Sequence, residues 1–207
     1  NIHPSLLPRH RGPSPVATTI LNGDQVTGVT IMLLDEGMDT GPLIAQHEFF
    51  LKGNETTDQL TTALFELGGK LLQESLPQWK SGELLSEPQN ESLASATRKL
   101  ERVDGLADWS LSADELERRA RAFTPWPGLF TDWDGSGLKL VSVAFVASDS
   151  AEFAPGTVVA TNHPDLLAAV ATSRGFLGLK TVQLEGKRAV SVKDFLNGAP
   201  DFIGARL

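Results

Sequence analysis

Cysteine is absent from the 207-residue sequence. That excludes disulfides, thiolate metal sites and a cysteine nucleophile. No apolar run approaches the ~20 residues that cross a bilayer. No charged stretch followed by an apolar one opens the sequence, so neither a membrane span nor a secretory signal is expected, and a cytoplasmic protein is. Side chains that ligate metals do not cluster, and no metal site is expected. Basic charge is scarce: the net charge is -8. The deficit is uneven, because residues 1–97 carry 5 Lys and Arg against 12 Asp and Glu, whereas residues 98–207 carry 13 against 14. Whole-chain charge argues against a nucleic-acid binder. A basic face on the near-neutral second half stays open.

What is present fits a globular protein of one large or two small domains, with 41% hydrophobic and 21% charged residues. Ser14 to Leu21 has helical spacing and ends at the turn signal Asn22-Gly23-Asp24. Val26–Leu34 and Leu43–Leu51 read as strands, separated by an acidic, glycine-containing loop at Asp35–Gly41. Thr57 is expected to cap a long helix whose Leu60, Leu64, Leu67 and Leu71 share a face, with Pro77 kinking or ending it. Residues 83–99 are polar and read as a linker. A helix over Leu111–Phe123, capped near Ser112 or Asp114, stops at Pro125-Trp126-Pro127-Gly128. Short strands follow at Leu129–Trp133, Leu138–Val146, Gly156–Ala160, Leu166–Thr172 and Leu179–Gln183, then a short helix from Ser191 to Leu196. That spacing suggests a small barrel.

Taken singly, an Asn is more often a cap, a His a surface or core residue, and an Asp beside Gly a turn than any of them is a catalyst. Context changes this. Asn1 and His3 flank one residue, so in extended backbone their side chains point the same way. Pro4 and Pro8 keep the following segment from being a regular helix. The Asp35–Gly41 loop follows a buried-looking strand, and strand-end loops of α/β sheets carry sites. An Asn amide, an imidazole and a carboxylate can together move an acyl group to an amine. The amide donates to a developing oxyanion. The imidazole accepts and returns a proton near neutral pH. The carboxylate fixes its tautomer or holds a relaying water. Asp35 and Asp39 both lie in the loop that would supply it.

Three segments in order, Asn1-Ile2-His3-Pro4-Ser5-Leu6-Leu7-Pro8, Gly28-Val29-Thr30 and Leu34-Asp35-Glu36-Gly37-Met38-Asp39-Thr40-Gly41, resemble the signature of the folate-dependent formyltransferases. The resemblance implies formyl transfer from 10-formyltetrahydrofolate to an amine, with catalytic Asn1, His3 and Asp39. Protonated His3 would help Asn1 hold the oxyanion. It implies a folate pocket from Ser5, Leu6, Leu7, Pro8, Leu33, Leu34, Asp35, Glu36, Gly37 and Met38, much of it read by backbone. In the second half, Asp108-Trp109-Ser110, Arg121–Gly128 and Phe195-Leu196-Asn197-Gly198 resemble the C-terminal domain of methionyl-tRNA formyltransferases. Thr124 departs from the Asn common there.

The implied fold is α/β: the C-terminal part of a Rossmann-like formyltransferase domain over residues 1–82, a linker at 83–99, and an OB-like β-barrel over 100–207. The implied partners are the folate co-substrate and methionyl-initiator tRNA, with Arg98, Lys99, Arg102, Arg118, Arg119 and Arg121 as candidate phosphate contacts. Those six could equally form a solvated face, since Glu101, Asp104, Glu115 and Glu117 interleave with them. Trp109, Phe123 and Trp126 are expected in the core. Two rivals stand beside this reading: a formyltransferase for another amine, such as an amino-sugar nucleotide, and a non-catalytic RNA-binding fragment. Because the sequence opens on Asn1, inside the motif, the chain is expected to be one piece of a longer protein, inactive alone, whose strand at Val26–Leu34 lacks neighbours. The full-length protein is expected to be a monomer.

Overall fold

The computed structural model describes residues 1–148 and 150–207. The chain divides into two compact units, Asn1–Leu100 and Glu101–Leu207.

In the first unit a three-stranded sheet has the order β1-β2-β3, with β1 at Ile2–His3, β2 at Val26–Met32 and β3 at Leu43–Phe50. All pairings are antiparallel. β2 is central, but β1 pairs only with its Thr30 and Ile31. Every β2 residue after Val26 is buried, as its apolar, β-branched sequence requires. Helix α1 spans Pro15–Asn22, opening on proline and closing on left-handed Gly23.

Helix α2 covers Thr57–Ser81. Thr56, rather than Thr57, is its N-cap, in a capping box with Gln59. Leu60 and Leu64 are fully buried, each contributing about 1.5–3 kcal/mol. Gly68 lets the helix sit close on the sheet, because a Cβ there would lie 2.5 Å from the Ile2 side chain and 2.8 Å from Val29. The expected break at Pro77 does not occur: the helix runs on to Ser81 and ends at left-handed Gly82. The proline removes one backbone donor near the helix end. Side chains bond nearby carbonyls there, Gln78 Nε2 to Glu74 O and Ser81 Oγ to Gln78 O.

In the second unit α3 (Ala113–Ala122) carries a Ser112–Glu115 capping box and is followed by β4 (Phe130–Trp133), β5 (Ser136–Val146), β6 (Val158–Ala160), β7 (Ala168–Ala171), β8 (Phe176–Leu184), β9 (Val190–Ser191) and α4 (Val192–Gly198). The sheet order is β4-β5-β8-β7-β6, with β9 also on β8. Among the described residues no pairing joins β4 to β6, so a closed barrel is not formed by these ladders. Asp134 and Gly135, both with positive φ, make the β4–β5 turn, the arrangement that matches strand twist in tight hairpins. Leu116 from α3 packs with Leu129, Leu138, Leu140, Leu177, Leu179 and Val182 in one core. Trp109 and Phe123 are buried as expected, but Trp126 is 55% exposed. Prolines on both sides hold its backbone in a turn rather than on a core-facing strand.

Candidate active site

β1 alternates as extended backbone must: Ile2 packs toward Gly68 of α2, so Asn1 and His3 take the other side. Asn1 is tied to β2 through its backbone, donating to Met32 O at 2.8 Å and accepting from Met32 N at 3.0 Å. The residue is exposed. His3 is 4% exposed. One ring nitrogen, Nε2, lies 3.1 Å from the His10 carbonyl and therefore carries the proton it donates. The other, Nδ1, lies 3.5 Å from Asp39 Oδ2. That is beyond a direct hydrogen bond and suits a bridging water or closure around a substrate. Burial lowers the His3 pKa below its ordinary 6.5, outweighing the opposing pull of Asp39 and of the His10 carbonyl. His3 is thus neutral at rest and is poised as a base. The expectation of a protonated His3 applies only after it has taken a proton.

Asp39 sits in left-handed backbone, φ 56°, a conformation aspartate tolerates better than most residues. Its Oδ2 accepts from the Gly12 N–H at 2.8 Å. Gly12 itself has φ 104°, and a Cβ there would lie 2.8 Å from Thr97 O. Asp35, the other loop carboxylate, accepts from Gly37 N at 3.1 Å and Thr40 Oγ1 at 2.7 Å. It serves the loop's own shape, while Asp39 faces the imidazole.

Residues 83–99, read as a linker, lie along the first unit and bind both active-site loops. Glu87 bridges to Leu43, Ser95 O accepts from Arg11 N, and Thr97 N donates to Arg11 O. Ser95 Oγ accepts from His10 N at 2.9 Å. Gln89, buried, donates through Nε2 to both Asp39 O and Gly41 O at 2.8 Å. Its Oε1 accepts from Arg11 Nε at 3.0 Å and Nη2 at 2.8 Å. The Arg11 guanidinium also binds Glu91 with two nitrogens, at 2.9 and 2.7 Å. His10 is held in turn by Asp24, 2.9 Å from Nε2. None of Arg11, Gln89 or Glu91 stood out in sequence. The one available signal was an arginine beside Gly12 in a loop already under suspicion.

The expected folate residues divide into two sets. Ser5, Leu6, Leu7 and Pro8 form a buried or half-buried segment pinned by Thr30, whose Oγ1 donates to Ser5 O at 2.6 Å and accepts from Leu7 N at 3.1 Å. Gln46 Nε2 donates to Leu7 O and Thr30 Oγ1, both at 2.8 Å. A Cβ on Gly28 would strike Leu6 at 2.5 Å, which explains glycine there. Leu33 to Met38 belong to the loop after β2, where Leu34 and Met38 present apolar side chains 77% and 68% exposed. Glu36 and Gly37 are exposed with them. Exposed apolar groups beside a half-buried acid and a buried base suit a flat heterocycle. No group of three or more His, Asp or Glu side chains that could hold a metal occurs among the described residues.

Of the candidate RNA contacts, Arg118 pairs with Asp114 at 3.1 Å and Arg121 with Glu117 at 2.7 Å, both across one helical turn. Arg98 Nη1 donates to Lys99 O, Lys99 is exposed, and Arg119 is half-buried. Arg102 is exposed, with its guanidinium 5.5 Å above the Phe130 ring centre.

A buried imidazole that faces a carboxylate beside an apolar loop, with Asn1 two positions away and next to the same strand, is an arrangement that acyl transfer can use. The family descriptions "Formyl transferase" and "Formyl transferase, C-terminal domain" match residues 1–76 and 99–200 respectively. The chain belongs to the formyl transferase family. The methionyl-tRNA formyltransferase of Roseiflexus sp. (strain RS-1) is 45% identical over all 207 residues, which span 63% of that protein. That of Chloroflexus aggregans is 46% identical over 201 residues, covering 96% of this chain and 63% of its own. The chain thus spans under two thirds of the length of these relatives. Among solved structures, HypX from Aquifex aeolicus in complex with tetrahydrofolic acid superposes with a TM-score of 0.70 at 19% identity, over 98% of this chain and 35% of that one. The N-formyltransferase from Helicobacter canadensis, with folinic acid and dTDP-3-aminofucose, gives 0.67 at 20% identity, over 91% and 65%. At such identities these two likenesses speak for the fold alone.

Proposed function

We propose that the protein transfers a formyl group from 10-formyltetrahydrofolate to the α-amine of methionyl-initiator tRNA, in the cytoplasm. The observation that carries this is the buried His3 with Nδ1 turned to Asp39, its other nitrogen committed to a backbone carbonyl. Neutral His3 takes the proton that the amine sheds as its nitrogen bonds to the formyl carbon. The Asn1 amide donates to the formyl oxygen while it carries negative charge. His3, now protonated and stabilised by Asp39, delivers the proton to the folate nitrogen as its bond to the formyl carbon breaks. Ser5–Pro8 and Leu33–Met38 take the folate from two sides.

The same reading makes residues 1–82 part of a Rossmann-like formyltransferase domain, 83–99 its connection, and 100–207 an OB-like unit that carries RNA. The 45% identity to a protein named for methionyl-tRNA supports this substrate over an amino-sugar nucleotide. The sugar reading keeps support from the fold shared with an enzyme solved with an amino-sugar nucleotide. Competition between methionyl-tRNA and amino-sugar nucleotides separates the two. A non-catalytic RNA-binding protein would hold tRNA but no folate. The mechanism is tested with His3→Ala and Asp39→Asn, made in the full-length protein. Each should lower kcat by ~10²–10⁴ with folate affinity nearly unchanged. A variant that keeps more than half the parental rate removes that residue from the chemistry.

A further inference from the structure

His3 is oriented by a peptide group, and that peptide group has a holder of its own. His3 Nε2 donates to the His10 carbonyl at 3.1 Å, which leaves Nδ1 unprotonated on the Asp39 side. His10 stands in left-handed backbone, φ 61°, a conformation that residues with a Cβ keep only where their surroundings hold them. If its backbone left that region, the carbonyl would turn away from His3. Two groups oppose this. Ser95 accepts from His10 N through Oγ and from Arg11 N through its carbonyl, both at 2.9 Å. Ser95 is exposed, however, and water competes for both bonds. The second group is Asp24, whose Oδ2 lies 2.9 Å from His10 Nε2. A carboxylate accepts, so His10 Nε2 carries the proton.

The Asp24–His10 bond is shielded from water, with the two side chains 16% and 7% exposed. Asp24 stands outside the motif loop, in the turn that closes α1 behind left-handed Gly23, where its N–H donates to Thr19 O at 3.1 Å. A helix end therefore fixes the residue that grips the loop. Asp24 Oδ1 also accepts from Arg9 Nη2 at 3.0 Å, but that arginine is 51% exposed and the pair contributes little. The contacts run in one line from Asp24 through the His10 side chain, the His10 carbonyl and the His3 ring to Asp39. We propose that Asp24 and His10 are positioning residues for the acid–base step: the hydrogen bond between them holds the His10 carbonyl on His3 Nε2 and so fixes the tautomer in which Nδ1 can take the amine's proton. The proposal rests on the reading of His3 as the base.

The test uses the full-length protein with isotope-labelled histidine. Ring-nitrogen NMR shifts report which nitrogen of neutral His3 carries the proton, and the His3 signals are those lost in His3→Ala. The parent should show the Nε2–H form. Asp24→Ala and His10→Gly should each mix the two tautomers and lower kcat by about tenfold to 10²-fold, with KM for folate nearly unchanged. Glycine accepts φ 61° freely, so His10→Gly removes the holder without adding backbone strain. Combining the two should cost no more than either alone, because both break one bond. Asp24→Asn keeps an acceptor for His10 Nε2 and should restore the tautomer, with kcat within about threefold of the parent. Arg9→Ala, which removes the exposed partner of Asp24, should change neither readout. Melting temperatures accompany every variant, and His10→Gly against Asp24→Asn carries the test if Asp24→Ala melts early. An unmixed Nε2–H tautomer in the variants that lose the bond overturns the proposal, even where kcat falls. Failure of the parent to transfer formyl groups would overturn the proposed function instead, and the tautomer, read without substrates, would still decide whether Asp24 and His10 set it.

Discussion

Gln89→Leu should disable the site from outside it. The substitution removes four hydrogen bonds at once: two donated to the carbonyls of Asp39 and Gly41, two accepted from Arg11. Neutral bonds contribute ~0.5–1.5 kcal/mol each and those to a charged group ~1.5–3. Arg11 keeps Glu91, and leucine adds apolar contact, so the net loss should be about 2–4 kcal/mol. At ~2 kcal/mol per molar urea, the unfolding midpoint of the first unit drops by about 1–2 M. The rate should suffer separately. Asp39 is held in left-handed backbone, and its freed loop need shift only ~1 Å to cost ~10²-fold in kcat. Gln89→Glu divides the two effects. It keeps an acceptor for Arg11, whose bond it strengthens, but turns a carboxylate oxygen toward two carbonyls that need a donor. Its urea midpoint should fall less than that of the leucine variant, and its kcat just as far. Steady-state formylation with methionyl-tRNA, the variants made in the full-length protein and kcat and KM resolved, tests this on the proposed activity. A glutamate variant with more than a third of the parental kcat would refute the idea that these donated bonds place Asp39.

Other consequences are briefer. Because burial holds the His3 pKa below 6.5, the acid limb of kcat/KM should lie below pH 6.5 and vanish in His3→Ala. The unfolded chain then binds more protons than the folded one between that lowered value and 6.5, so urea titrations should find stability from this group constant above pH 6.5 and falling as pH drops through the window. Gly12→Ala should lower both melting temperature and kcat, since its Cβ would meet Thr97 O at 2.8 Å in left-handed backbone and displace the N–H that Asp39 accepts. Thr30→Val should raise KM for folate more than it lowers kcat, because Thr30 Oγ1 anchors Ser5 and Leu7 rather than the reacting atoms. A dominant kcat effect would contradict that division.

The legible parts of this chain were those that rest on local pattern. β2 is a strand because its residues are β-branched and apolar, and α2 is a helix because Leu60 and Leu64 share a face. The facing of His3 and Asp39 was legible through a motif. Their 36-residue separation is closed by tertiary structure that no spacing rule contains. The strap at 83–99 shows where such reading stops. Its serine, glutamate, asparagine and glutamine make it look solvated, because polarity reports what a side chain can bond to and not whether the partner is water. Here the partners are protein: Gln89 is buried because two loop carbonyls and a guanidinium satisfy every group it brings. The arginines of α3 illustrate the converse. They read as candidates for an external anion, but carboxylates one turn away already answer Arg118 and Arg121. Arg102, Lys139, Lys187 and Arg188 are scattered over 87 positions of sequence and brought together only when β4, β5 and β8 pair. In both units, then, the hydrogen-bond and charge balance of these polar residues is decided by long-range pairing.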